Sequence, residues 1–101
     1  MKNKVLIIQA NYYKDISTAL LKSAKNELKN FAKINVISVP GVFEIPVVIS
    51  KNLKKYDGFV ALGCVIKGQT PHFDFISKST TDAIMNISVE SKKPVGTGII
   101  T

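Results

Sequence analysis

Four short apolar runs alternate with three segments of helical spacing, and this alternation restricts the possible folds of the chain more than any other feature. The runs lie at residues 5–8, 34–39, 58–66 and 95–101. A continuous apolar run such as the first is typical of a strand covered on both faces. The order β-α-β-α-β-α-β implies parallel strands joined by right-handed crossovers. The sequence therefore predicts a doubly wound, flavodoxin-like parallel sheet in a three-layer α/β/α arrangement, with four strands and three helices.

The segments between the runs carry helix signals. The first has an apolar stripe with lysines opposite, which predicts an amphipathic helix ending near Phe31; the stripe consists of Ile16, Leu20, Ala24, Leu28 and Phe31. Residues 43–53 predict a short helix, with Pro46 near its start, where a missing amide is tolerated. Thr70 as N-cap and Pro71 at the first position predict a third helix, whose apolar side consists of Ile76, Thr80, Ala83, Ile84 and Ile87.

Length and composition predict one globular domain over residues 1–101, because 46% of the residues are hydrophobic and the sequence contains neither repeats nor low-complexity stretches. Cys64 is the only cysteine, which indicates a reduced, buried thiol and the cytoplasm. The sequence contains no pattern of a signal peptide and no apolar run of membrane-spanning length. We expect a soluble cytoplasmic protein without a membrane partner.

The formal net charge of +7 comes from 14 lysines and no arginine. Such an excess can indicate a nucleic-acid partner. The lysines are scattered along the chain, however, and lysine lacks the bidentate guanidinium fork that specific phosphate recognition favours. We therefore predict a solvated basic surface and no nucleic-acid partner.

Three loops are candidates for a binding site, because ligands of open parallel sheets bind beyond the carboxyl ends of the strands. These loops span residues 11–15, 40–44 and 67–74. In the third, residues 68–70 (Gly-Gln-Thr) precede a predicted helix and offer free amides to a phosphate, with the cation of Lys67 nearby. The same residues could instead form an ordinary turn capped by Thr70.

Each of the other candidate side chains could have either a functional or a purely structural role. His72 lies in the first predicted helical turn, where the helix dipole favours a neutral imidazole suited to proton transfer, but a lone histidine is often a surface residue. Glu44 could accept hydrogen bonds from a polyhydroxylated ligand or compensate a helix dipole. Tyr12 or Tyr13 could stack on a planar ring or cover the edge of the core.

Four segments together resemble the lumazine synthase family. They are NYYKDI (residues 11–16), VPGVFEIP (39–46), YDGFVALGCVIKGQTPHFD (56–74) and KPVGTGIIT (93–101). The second and third are long and specific, and the resemblance covers essentially the whole chain. It implies condensation of 5-amino-6-(D-ribitylamino)uracil with 3,4-dihydroxy-2-butanone 4-phosphate to 6,7-dimethyl-8-ribityllumazine, the penultimate step of riboflavin biosynthesis. The resemblance implies neither metal nor organic cofactor.

The resemblance also implies roles for individual residues. Tyr12 would stack on the pyrimidine ring, and the backbone of Val65 and Ile66 would read the edge of that ring. Glu44, with the backbone of Val42 and Phe43, would hold the ribityl chain. Gly68, Gln69 and Thr70 would bind the phosphate, and Lys67 beside them is a further substrate-binding residue.

Proton transfer and assembly complete what the resemblance implies. His72 would move protons, and Thr97 would approach the pyrimidine from the adjacent chain of a homopentamer or a multiple of pentamers. Lys67 stands where many members carry arginine, and Thr97 where many carry an aromatic residue. Members usually continue past the fourth strand into helices with a phosphate-binding basic residue, so we expect a C-terminally short domain. The alternative hypothesis is a truncated, impaired member that binds ribityl-pyrimidine or flavin-like ligands, or only assembles.

Overall fold

A four-stranded parallel sheet of order β2-β1-β3-β4 organises the chain in the computed structural model, which describes residues 3–65 and 73–100. Its strands are β1 (Asn3–Ala10), β2 (Ala32–Val39), β3 (Gly58–Cys64) and β4 (Val95–Ile100). The helices are α1 (Lys14–Leu28), α2 (Ile45–Lys51) and α3 (Phe73–Ser91), and a 3-10 turn (Val42–Glu44) precedes α2. The predicted α/β class, with four strands and three helices, is confirmed.

The strand order decides where the helices lie. The chain steps from β1 to β2 in one direction and then from β2 past β1 to β3 and β4 in the other. Right-handed crossovers therefore place α1 on one face of the sheet and α2 with α3 on the other. The direction reverses between β1 and β3, so the loops that follow these two strands diverge and leave a crevice there.

The larger core lies between the sheet and the α2 and α3 face. Leu6 and Ile8 of β1 are fully buried there, beside Phe59 of β3 and beneath Ile45 and Ile49 of α2. Each such side chain contributes about 1.5–3 kcal/mol by leaving water. The predicted inner side of α3 is confirmed, since Thr80 and Ile84 are buried and Ile76 and Ile87 are half-buried.

Two predicted helix boundaries are wrong. Helix α1 ends at Leu28, and Phe31 is 72% exposed, because the amide of Phe31 closes a turn on the carbonyl of Leu28 (2.9 Å) before the chain enters β2. The second helix was predicted over residues 43–53 but extends from Ile45 to Lys51, because Val42–Glu44 forms the 3-10 turn.

Strand β3 ends at Cys64, whereas the prediction extended it to residue 66. Residue 66 and the predicted helix start at Thr70 and Pro71 lie outside the described residues. No helix in the described part of the chain is long and apolar enough to cross a membrane.

Candidate functional site

The turn between β1 and α1 presents two tyrosines at the carboxyl end of the sheet. The amide of Asn11 donates to the carbonyl of Val39 (3.0 Å), and Ser17 donates from its hydroxyl to Ala10 (2.7 Å) and from its amide to Tyr13 (2.9 Å). The rings of Tyr12 and Tyr13 meet edge to face, with centroids 4.9 Å apart. These contacts hold the turn while the ring of Tyr12 remains 74% exposed.

The 3-10 turn after β2 is the second wall of the site. The Glu44 amide donates to the Gly41 carbonyl (3.2 Å), and Val42 is buried against β3 at Gly63. A Cβ at Gly63 would lie 2.5 Å from Cγ1 of Val42, so the turn sits this close only because Gly63 lacks a side chain. The Glu44 side chain is exposed and makes no capping hydrogen bond to α2.

The end of β3 forms the floor. The Val65 amide already donates to the carbonyl of Ile100 in the neighbouring strand (2.8 Å). Any hydrogen bond from the Val65 backbone to a ligand would therefore use its carbonyl as acceptor. Cys64 is a free thiol but only half-buried, so the prediction of a buried thiol is wrong: the last residue of β3 opens into the cavity instead of the core.

These three segments enclose a cavity of about 310 Å³ at the point where the strand order reverses. Its size falls at the lower end of the range for small-molecule sites. Five of the predicted residues line it together: Tyr12, Val42, Phe43, Glu44 and Val65. The other described residues that line it are Tyr13, Pro40, Gly41, Cys64 and Ile76.

One further predicted residue lies away from the cavity, and six fall outside the described residues. Thr97 does not line the cavity: it is exposed in the middle of β4, in register with Ala61. Its predicted action from an adjacent chain stays a prediction. Ile66, Lys67, Gly68, Gln69, Thr70 and His72 lie outside the described residues.

Tyr13 and Cys64 line the cavity although neither is among the predicted site residues. The adjacent tyrosine pair was a signal for Tyr13, whereas Cys64 had none, because a strand covered on both faces shows no alternation. Burial, followed by the neighbouring Tyr12 and Cys64 groups, raises the pKa of Tyr13. The neutral phenol in the cavity wall can donate a hydrogen bond to a ligand.

The cavity combines an aromatic face with one charged group. Tyr12 offers a ring for stacking, and Glu44 is its only carboxylate among the described lining residues. Phe43 and Phe75, with centroids 6.4 Å apart, form an exposed apolar rim beside it. Such a site suits a planar heterocycle with a hydroxylated tail.

A doubly wound parallel sheet with a cavity at its reversal point places the chain in the class of open α/β proteins, whose ligands bind at the carboxyl ends of the strands. Comparison with known proteins then identifies the family. The profile of the 6,7-dimethyl-8-ribityllumazine synthase family matches residues 2–101, and the chain belongs to this family.

Individual relatives are similar over nearly the whole chain. A 6,7-dimethyl-8-ribityllumazine synthase of Agrobacterium fabrum is 44% identical, over 99% of this chain and 73% of the relative. One of Bartonella tribocorum is also 44% identical, over 99% of this chain and 69% of the relative. One of Corynebacterium kroppenstedtii is 41% identical, over 97% of this chain and 62% of the relative.

Proposed function

We propose that the chain is a transferase that condenses 5-amino-6-(D-ribitylamino)uracil with 3,4-dihydroxy-2-butanone 4-phosphate to 6,7-dimethyl-8-ribityllumazine. The observation that carries this proposal is the convergence of Tyr12, Glu44 and Val65 on one cavity at the reversal point of the sheet. These residues follow three different strands and are distant from one another in sequence. Membership of the synthase family supports the same reaction.

The geometry of the cavity suggests a role for each wall. Tyr12, exposed at the mouth, stacks on the pyrimidine ring, and the carbonyl of Val65 accepts a hydrogen bond from the ring edge. The Glu44 carboxylate accepts hydrogen bonds from the ribityl hydroxyls beside the Val42 and Phe43 backbone. Holding the substrate amine against the ketone in this way would convert a bimolecular condensation into a nearly unimolecular one.

The remaining roles rest on the resemblance of residues 56–74 to the family. Lys67 and residues 68–70 bind the phosphate of the second substrate. His72 moves protons during imine formation, phosphate elimination and ring closure, because a neutral imidazole exchanges protons near neutral pH.

We also propose a homopentamer in which Thr97 of one chain approaches the cavity of the next. The apolar residues exposed on α3 support an interface on this helix, since Phe75, Met85 and Val89 all face solvent in the single chain. Sedimentation equilibrium would measure the assembly, and a monomer at micromolar concentration would contradict it.

Lumazine formation from both substrates, followed by absorbance, tests the reaction. Loss of one aromatic contact costs about 0.5–1.5 kcal/mol, so Tyr12→Ala should raise the KM for the pyrimidine about two- to tenfold. Tyr12→Phe keeps the ring and should leave this KM close to the wild-type value. His72→Ala should lower kcat by about a hundredfold or more. Phe31→Ala, a comparably exposed aromatic far from the cavity, is the matched control. Absence of product from the wild-type chain would refute the proposal.

A further inference from the structure

A second cavity lies at the amino ends of the strands, opposite to the site described above. It measures about 390 Å³ and is lined by Lys4, Lys33, Asn35, Lys54, Lys55 and Tyr56. Four of these six side chains are ammonium groups and none is a carboxylate. All six can donate hydrogen bonds, so the cavity is suited in both charge and hydrogen bonding to an anion.

The sheet and one turn bring these lysines together from three parts of the sequence. Lys4 and Lys33 are register partners in β1 and β2, so their side chains project side by side from one face. The turn that carries Lys54 and Lys55 is fastened beside them at Asp57. The Asp57 amide donates to the Lys4 carbonyl and the Lys4 amide donates to the Asp57 carboxylate, both at 2.8 Å.

The polar wall of the cavity is also held in place. Asn35 donates from its side-chain amide to the Tyr56 hydroxyl (2.8 Å), which leaves the phenolic proton available to a further acceptor. The Tyr56 ring packs edge-on against the buried Phe59, with centroids 6.0 Å apart. Lys93 donates to the carbonyls of Leu53 and Tyr56, so its ammonium is used to hold the turn.

Negative charge near the four lysines is sparse. Asp57 lines a neighbouring cavity of about 440 Å³, together with Lys4, Lys54 and Lys55, and its carboxylate accepts the Lys4 amide. Among the residues that the structure describes, the only ion pair joins Lys78 and Asp82 on α3. A bound anion would therefore reduce the mutual repulsion among Lys4, Lys33, Lys54 and Lys55.

We propose that Lys4, Lys33, Lys54 and Lys55, the amino-end lysine cluster, bind a compact polyvalent phosphate anion, of the kind present in inorganic tripolyphosphate and in the triphosphate of a nucleotide. Lysine binds phosphate as a point charge and tolerates varied geometry, which matches a chain of phosphates better than a single oriented group. The cluster lies at the opposite end of the strands from the proposed active site, so this inference does not rest on the proposed function.

Isothermal titration calorimetry of the full chain with tripolyphosphate at low ionic strength tests the proposal by measuring the dissociation constant. The four lysines are exposed, and a contact of this type changes affinity about 1.5- to 5-fold. Lys54→Gln with Lys55→Gln should therefore weaken binding about tenfold. Lys22→Gln with Lys25→Gln removes the same charge from the exposed side of α1 and should weaken binding less than about twofold.

Equal weakening by the two double variants would show attraction by net charge alone and overturn the proposal, as would the absence of binding at millimolar tripolyphosphate. A parallel titration with ATP distinguishes the source of the anion: equal affinity supports a site for the phosphate chain alone, and tighter ATP binding supports a nucleotide. Lumazine formation is measured on the same variants. A synthase that does not bind tripolyphosphate would refute only this inference, and an inactive chain that binds it at the cluster would refute only the proposed function.

Discussion

Gly63→Ala should displace the 3-10 turn that lines the cavity at the carboxyl ends of the strands through a single methyl group. The new Cβ would lie 2.5 Å from Cγ1 of Val42 and 3.2 Å from Cβ of Ala10. Non-bonded carbons prefer about 3.5–4.0 Å, so Val42 would have to retreat by roughly 1 Å. Val42 is only 4% exposed and begins the turn that carries Glu44, so the Glu44 carboxylate would move with it.

The expected loss of stability combines two opposing terms. Overpacking a buried contact costs about 1–3 kcal/mol. Replacing glycine by alanine within a strand returns about 0.5–1 kcal/mol through the restricted unfolded chain. At the middle of both ranges the net loss is about 1 kcal/mol, which corresponds to a decrease in Tm of roughly 4–8 °C for a domain of this size. The KM for the pyrimidine should rise more than kcat falls, because the displaced turn carries Glu44, the residue proposed to hold the ribityl chain.

Thermal unfolding and steady-state kinetics would measure both effects, and two further variants make the test strict. Gly96→Ala is the matched control, since its Cβ would lie 4.0 Å from Val60, an ordinary contact. Combining Gly63→Ala with Val42→Ala removes the 2.5 Å contact and leaves only the milder one with Ala10, so the double variant should be at least about 1 kcal/mol more stable than the sum of the single changes predicts. Additivity within about 0.5 kcal/mol would refute the reasoning.

Three further predictions concern single groups. Gly41→Ala would place a Cβ 3.2 Å from the Glu44 carboxylate without backbone strain, because Gly41 is extended. The KM for the pyrimidine should rise about threefold while the Tm stays unchanged. An unchanged KM would show that the position of the Glu44 carboxylate does not matter for substrate binding. Because burial raises the pKa of Tyr13, the contribution of its neutral phenol to stability is complete below the ordinary pKa of about 10 and is lost as the pH rises above that value. Urea unfolding at a series of pH values should therefore show a smaller decrease of the unfolding free energy with pH for Tyr13→Phe than for the wild type. The same decrease in both proteins would contradict this prediction. The hydroxyl of Thr80 is buried without a hydrogen-bond partner among residues 3–65 and 73–100, so Thr80→Val should stabilise the fold by up to about 1 kcal/mol, whereas the exposed control Thr81→Val should have little effect in the same unfolding curves.

Apolar patterning was enough to predict the order of elements, because each strand and helix buries its own characteristic set of side chains. The carboxyl-end rule then selected the loops that contain Tyr12 and Glu44, and the structure brings both to one cavity. The end of α1 was not predictable in the same way. Phe31 continues the helical spacing by coincidence, although the chain has already turned toward β2.

Features that depend on pairing between distant strands were invisible in the sequence. The Val65 amide donates a hydrogen bond to the carbonyl of Ile100, 35 residues further on, and only the register of β3 with β4 reveals this. The lysines were predicted to form a scattered basic surface. Lys4 and Lys33 are nevertheless neighbours, since strand register, not sequence distance, decides which charges meet.

The central position of β1 has a consequence for synthesis on the ribosome. This strand emerges before the other three, but it ends up between β2 and β3, and its partner on the β3 side is made only when residues 58–64 appear. At a translation rate of about 5–20 residues per second, one edge of this apolar strand remains unpaired for about 1–5 s after β2 is complete. During that interval the nascent chain exposes a template for strand addition, and nascent chains on neighbouring ribosomes are the nearest partners for it.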